Sequence, residues 1–422
     1  MKSESPRIEQ LAISRRGIAD IVLIAALTCS LFPGLVNYTA ALAAASDAEI
    51  ANVVRQRNLM ALGSTSIGTH AAMGLQTPSA NHRYQVKPHG NFQRAILPAA
   101  DFFGADLFGA NFSDAHMPGA VLSAADLQNG KLASANLSQA KLVRTRLFKA
   151  DVSFVNFAGA DLSFSDLNDV VATGANFKGA DLRFAILENA TLDFASLHAT
   201  VLDSRTVFPA KWRVVWSILN EGARGRNLRT NDLSFADLRG GNFPNADLSV
   251  ADLSAADLRE ADLRGALLAG ANTRFVDFRG AVADNATMFS SKARRIWQAV
   301  NANGNQDLEN ADLISLFLSQ VNFRLAKLSR ADLNLSVVAA SDFTEAVLEA
   351  ANLSSCDCLR ASFNRANLSR VDLRNADLTS ALFRESNLTG ANLTGARTNS
   401  STDFTGAIFK KTRMPDGRLR SN

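Results

Sequence analysis

From Phe92 to Leu202 the chain places an apolar residue at every fifth position, and 20 of these 23 central positions hold Leu or Phe. Met117, Val152 and Ala172 are the exceptions. The pattern resumes one residue out of phase at Leu228, runs to Met288, returns at Leu308 and continues to Leu393, with Phe404 and Phe409 trailing. Two positions before each centre stands mostly Ala, as at Ala105, Ala110, Ala135, Ala160 and Ala180. An α-helix would spread such a series around its whole circumference, and a flat strand would flip it from face to face. A chain that turns a corner every five residues satisfies it. Residues two apart in an extended piece point the same way, so the Ala and the central residue face inward and the last two positions make the corner.

The phenylalanines predict how many corners close a turn. Phe323, Phe343, Phe363 and Phe383 are spaced by 20 residues, as are Phe92 and Phe112, and Phe157 and Phe177. Identical side chains stacked between successive coils require four pentapeptides per coil. The expected fold is an all-β solenoid, a right-handed quadrilateral β-helix, of about 14 coils and about 65 Å at strand spacing. Thr344, beside Phe343, points outward by the same parity.

The series "ADLSAADLREADLRGA" and "ADLTSALFRESNLTGANLTGA" resembles the pentapeptide repeat family over about residues 91 to 411. The resemblance implies a four-sided right-handed β-helix with the central residue and the one two before it packed inside. It says little about activity. Some members of the family mimic DNA and occupy a topoisomerase, which requires an acidic rod. Here residues 91 to 207 hold 9 bases and 12 acids, residues 228 to 288 hold 6 and 9, and residues 308 to 422 hold 14 and 12. That balance disfavours the mimic, and a net charge of +4 on 422 residues does not point to nucleic acid.

The acid or amide before each centre lies between two inward residues and therefore faces out. Stacked coils would align Asp237, Asp257 and Asp277 about 4.8 Å apart, an unfavourable column unless balanced. Arg239, Arg259 and Arg279, two residues on, supply that balance. In the column Asp312, Asp332, Asn352, Asp372 and Asn392 the amides dilute the repulsion. The expected result is a solvated, self-neutralising wall.

Two matching insertions interrupt the period. "TVFPAKWRVVWSILN" (206 to 220) and "TMFSSKARRIWQAVN" (287 to 301) align without gaps, and between them hold all three tryptophans of the chain. Trp212, Val215, Trp216 and Leu219, and equally Ala293, Ile296, Trp297 and Val300, fall at i, i+3, i+4 and i+7, the stripe of an amphipathic helix. Gly222, Gly225, Asn303 and Gly304 permit the return to the coil, and "TRMPDG" (412 to 417) closes the last block similarly. The resulting organisation is a leader over 47–90, repeat blocks over 91–207, 228–288 and 308–411, helical insertions over 208–227 and 289–307, and a tail over 412–422. Each helix can cover the unpaired strands and apolar core of a solenoid end. It can also serve as a docking platform. Lys211, Trp212, Arg213, Trp216, Lys292, Arg294, Arg295 and Trp297 are the candidate partner-binding residues, for an acidic protein, a glycan or an anionic lipid surface.

Residues 1–46 read as an export signal. A basic start (Lys2, Arg7, Arg15, Arg16) precedes the apolar run "IVLIAALTCSLFPGLV" (21 to 36) and the small-residue stretch "AALAAAS" (40 to 46), with Ala41-Leu42-Ala43 as a cleavage site. The run is shorter than the ~20 residues of a spanning helix, which favours a removed signal over a retained anchor. "SRRGIA" (14 to 19) resembles a twin-arginine signal without its usual phenylalanine, so general secretion stays an equal alternative. Cys29 is signal filler, "EIANVVRQRNLMAL" (49 to 62) reads as a short helix, and 74 to 91 as a linker. Cys356 and Cys358 take the two inward positions of one unit, as core filler or as a strained disulfide. His70, His82, His89, His116 and His198 have no metal-ligand spacing. No phosphate loop or nucleophile elbow is present, and no cofactor is expected. The expected function is a non-catalytic, exported interaction rod of the periplasm or cell surface with a protein partner. The alternative is an envelope binding protein acting through its tryptophan-bearing helices.

Overall fold

A computed structural model describes residues 88–421. The expected signal, Cys29, the 49–62 helix, His70 and His82 lie outside the described residues. Each five-residue unit contributes one residue to a parallel bridge with the residue 20 positions on, as in Asn91 with Asn111, Asn111 with Lys131 and Asp332 with Asn352. A corner every five residues leaves room for only one bridged residue per side. The walls are therefore stacks of single bridges, and together they form a right-handed quadrilateral β-helix.

Each corner is a hydrogen-bonded turn. The central carbonyl accepts from the N–H three residues on, as Leu127 O does from Gly130 N at 2.9 Å. The second corner residue takes left-handed φ, at +54° for Asn129 and +64° for Gly104. The acid or amide before the centre has a local task here. Its Oδ1 accepts the backbone N–H two residues later, from Gln128 to Asp126 at 3.1 Å, Ala158 to Asn156 at 3.1 Å and Asn334 to Asp332 at 3.0 Å. A short side chain with an acceptor at this distance is what the unit selects, and Asp and Asn both supply it.

The interior is one continuous apolar cluster of Leu, Ala and Phe, extending from Leu97 through Trp212, Val215, Ile218, Ile296 and Ala299 to Phe409. The phenylalanine column stacks as its spacing predicts: Phe323, Phe343, Phe363, Phe383 and Phe404 follow one another at 4.8, 4.9, 5.0 and 4.9 Å between ring centroids. Cys356 and Cys358 fill core positions as free, buried thiols, with Cys356 Sγ 3.0 Å from Ser336 O. The disulfide alternative is not formed. The contact with Cys356, together with burial, pushes the Cys358 thiol up.

Three coils end with one extra residue, so that the bridges Ile186–Val207, Leu267–Met288 and Leu382–Asp403 span 21 positions. Each extra residue sits in a turn closed by Thr. Thr206 Oγ1 donates to Leu182 O (3.0 Å), Thr287 Oγ1 to Leu263 O (2.9 Å) and Thr402 Oγ1 to Leu378 O (2.9 Å). Asp203, Asp284 and Asn399 hold the other side of these turns, accepting from Arg205, Ala286 and Ser401 N–H. The first two turns lead into helices, α1 (Ala210–Glu221) and α2 (Ser291–Asn301). After the third the coil continues and closes with an antiparallel hairpin of β1 (Thr412–Arg413) and β2 (Leu419–Arg420). Among the described residues no helix is long and apolar enough to cross a membrane.

Candidate functional site: two helices spliced into the rod

The helices start where the extra-residue turn has exhausted the pairing pattern. Ser290 caps α2, accepting from Ala293 N–H at 3.2 Å, whereas α1 starts after Pro209 with no side-chain cap. The buried residues of α1 are Trp212, Val215 and Ile218, and those of α2 are Ala293, Ile296, Ala299 and Val300. Trp216, Leu219 and Trp297, expected on the stripe, are half-buried at its margin and pack against the core.

Both helices meet the preceding block by the same set of hydrogen bonds. Trp216 Nε1 donates to Thr200 O at 2.8 Å, and Trp297 Nε1 to Ala281 O at 2.7 Å. Asn220 Nδ2 donates to Leu197 O and Trp216 O; Asn301 Nδ2 donates to Phe278 O and Trp297 O. Arg213 Nη2 reaches Thr206 O at 2.6 Å and Arg294 Nη2 reaches Thr287 O at 2.7 Å. Elsewhere the carbonyl equivalent to that of Thr200 or Ala281 receives a backbone N–H from the next coil, as Ala100 O does from Val121 at 2.9 Å. Side-chain donors of the helix thus replace, at these carbonyls, the backbone donors of an absent coil.

The following block docks directly on part of the same surface. Phe194 N–H donates to Phe235 O at 2.7 Å, across 41 residues, and His198 Nε2 lies 2.7 Å from Arg239 O. At the second splice Arg279 Nη1 donates to Ser319 O at 2.8 Å and Gln320 Oε1 at 3.0 Å. Lys211 turns away from solvent, with Nζ 2.9 Å from Ser234 Oγ, 3.1 Å from Asp232 Oδ1 and 4.9 Å from the Trp212 ring. Nearby Asp193 is buried, and desolvation, which the Lys211 charge only partly offsets, pushes its carboxyl up to about 6.

The eight candidate partner-binding residues therefore divide. Trp212 is buried; Lys211, Arg213, Trp216, Arg294 and Trp297 spend their polar atoms on the splices. Lys292, paired with Asp312 at 3.1 Å, and Arg295 are exposed. The aspartate and arginine stripes pair as expected, but the wall of Asp237, Asp257 and Asp277, expected to be solvated, is buried, because the arginines lie over the carboxylates and an apolar cluster packs beside them. Arg259 bridges Asp257 at 2.7 Å and Asp277 at 3.4 Å, while Arg239 lies 3.6 Å from Asp237 and 3.5 Å from Asp257. Burial opposes the charge of Arg259, yet its bonds to Asp257 hold its pKa raised. Sequence reasoning missed a second apolar cluster outside the interior, formed by Phe194, Phe235, Ala255, Phe275, Phe317, Val337 and Ala339. Its signal was Phe194, Phe235 and Phe275 at second-corner positions, where the period expects small or polar residues. Among the described residues no group of His, Cys, Asp and Glu could hold a metal ion.

The chain is 22% identical to HetL, a pentapeptide repeat protein involved in heterocyst differentiation regulation in the cyanobacterium Nostoc, over 80% of this chain and 94% of that one, with a TM-score of 0.15. It is 26% identical to a pentapeptide repeat protein of the Arabidopsis thaliana thylakoid lumen, over 27% and 71%, with a TM-score of 0.20. It is 17% identical to QnrB1, a plasmid-mediated fluoroquinolone resistance protein, over 48% and 87%, with a TM-score of 0.18. No curated protein matches significantly. The family model for pentapeptide repeats matches residues 91–202, 232–268, 307–336 and 341–397, taking overlapping matches together. These segments make up more than half of the sequence, and the chain belongs to the pentapeptide repeat family.

Proposed function

We propose that this protein is an exported interaction rod of the cell envelope that binds a protein partner along its outer walls. Members of the family are repeat scaffolds that generally act without catalysis. The observation that carries the reading is the single filled core running from Leu97 to Phe409, through both helices. A filled interior leaves recognition to the walls and the splice surfaces, and the splices make three repeat blocks one continuous support. The basic, apolar and small-residue order of residues 1–46 supports export. The test is affinity capture from the envelope fraction with the protein expressed from its own start. Recovery of a stoichiometric partner, on protein lacking about the first 43 to 46 residues, is the expected result. Full-length protein beginning at Met1 in the cytosol overturns the export reading.

A second reading has a specific observation in its favour. Lys292 and Arg295 are exposed on α2 next to the half-buried Trp297, which suits an acidic partner. Reversing both charges to Glu should then abolish capture; unchanged capture refutes this reading.

A further inference from the structure

One outer wall of the coil departs from the others. Its outward positions run down the rod as Asp237, Asp257 and Asp277 in block 2, then as Phe317, Val337 and Asp357 in block 3. Arg279 joins the two blocks along this wall by donating to Ser319 O at 2.8 Å. Over the aspartates of block 2 the arginines themselves supply the cover. In block 3 Ser319, Ala339 and Leu359 stand where those arginines stood. Arg279 lies over the Phe317 ring at 5.1 Å, but Val337 is one coil further on. Val337 is nonetheless only 1% exposed, whereas Val201 and Val282, at the same position of units on a neighbouring wall, are 44% and 50% exposed. The adjoining corner shows the same contrast, with Phe275 1% exposed against 46% for Phe164 at an equivalent corner. These residues belong to the apolar cluster that extends from Phe194 to Ala339. Among the described residues, Leu359 is the one further hydrophobic side chain packed against it. An apolar strip on the outside of a coil marks an interaction surface.

We propose that residues 49–62 of this chain, EIANVVRQRNLMAL, lie along this wall as a strap. On the helix that this segment reads as, Ile50, Val53, Val54, Met60 and Ala61 share one face. Its 14 residues would measure about 21 Å. The strip from Phe235 to Val337 crosses about four coil spacings, or ~19 Å. Arg57 falls within the apolar face, which suits a wall that carries Asp257, Asp277 and Asp357 along the strip. The reach is sufficient. Pro88, the first described residue, is about nine coil spacings from Phe317, or ~43 Å. Residues 63–87 can extend over ~80 Å. Residues 49–62 also lie beyond the expected cleavage at 43 to 46, so the strap is kept whether or not the signal is removed.

The test is hydrogen exchange on the purified protein as expressed, with synthetic peptide 49–62 as the undocked reference. A helix of this length is marginal on its own in water, so slowed exchange over 49–62 reports docking. The expected result is exchange at least ~10-fold slower in the protein than in the peptide. Val337→Asp and Ala339→Asp on the wall should each return it to within ~2-fold of the peptide. Val53→Asp lies outside the coil and cannot disturb block 3 directly. It should uncover the wall, read as several-fold greater binding of a hydrophobic dye. Exchange over 49–62 as fast as in the peptide overturns the proposal, as does slowed exchange that both wall variants leave unchanged. So does dye binding that Val53→Asp does not alter, or protection found over 21–36 instead. Protection lost on dilution from ~100 to ~1 μM would mean that a second copy covers the wall, and also overturns it. The measurement needs neither a partner protein nor export, so its failure is distinct from failure of the interaction-rod reading.

Discussion

Asn301 and Phe278 are joined by a hydrogen bond from Asn301 Nδ2 to Phe278 O of 2.9 Å, and Asn301 Oδ1 accepts from Gly280 N–H at 2.6 Å. One side chain thus serves two backbone groups at the edge of block 2. Replacing Asn301 by Ala removes both bonds and the one from Nδ2 to Trp297 O, at an expected cost of about 1–3 kcal/mol. Because repeat blocks are coupled only through their interfaces, denaturant unfolding should change from one transition to two. A single, unshifted transition would show that the splice does not couple the blocks.

Phe343 is fully buried between Phe323 and Phe363. Phe343→Ala should cost about 3–5 kcal/mol, because stacked coils cannot close around the lost ring. Thr344, outward by parity, is a poor control: it is buried, with its hydroxyl 3.1 Å from Ser362 Oγ. Exposed Arg324 is the better one, and Arg324→Ala should cost less than about 0.5 kcal/mol. Hydrogen exchange in Phe343→Ala should rise near residues 320 to 366 before residues 91 to 202. A uniform rise along the rod would contradict nearest-neighbour coupling.

Val250 is a β-branched residue at φ +60° and is 55% exposed. Its side chain gains little contact to offset a backbone conformation that disfavours Cβ branching. Val250→Gly should stabilise block 2 by about 1 kcal/mol, read as a raised midpoint of thermal unfolding. A lowered midpoint would mean that the valine packs more than its exposure indicates.

Asp193 predicts a pH dependence of the first splice. Its folded-state pKa, raised to about 6, lies above the ordinary aspartate value of 3.8. The folded protein therefore binds the proton more tightly, so this group opposes stability increasingly as pH rises from about 4 through 6. Asp193→Asn should stabilise the splice by about 2–3 kcal/mol at pH 7. The gain should shrink toward zero near pH 4. Chemical denaturation at both pH values reads the difference, and an equal gain at each would exclude deprotonation of Asp193 as its source.

The fold was legible because its rule is local and repeated. Parity assigns Ala and Leu to the inside, and the phenylalanine spacing assigns four sides to the coil; each of these signals recurs in unit after unit. The aspartates were legible only in part. Their outward direction and the offset between Asp257 and Arg259 follow from spacing. Their acceptance of the N–H two residues on depends on turn geometry, which the period alone does not specify.

The amphipathic helices and their shared Thr, Trp, Arg and Asn were visible as an 81-residue correspondence, but not what those residues do. Arg213 and Arg294 resemble an exposed basic face in sequence; in the folded chain they reach the carbonyls of Thr206 and Thr287. Likewise, nothing in the spacing shows that Arg226 reaches Ser217 and Gly222 at one splice while Gln306 reaches Ala299 and Asn322 at the other. The sequence by itself determined the coil, its four sides, its core columns and the places where it is interrupted, because each depends on near neighbours in a repeating frame. The tertiary structure alone decided how the blocks are joined and which outward positions are buried. Those features rest on single, non-repeating contacts between residues as far apart as Phe194 and Phe235, which only the packed helices bring together.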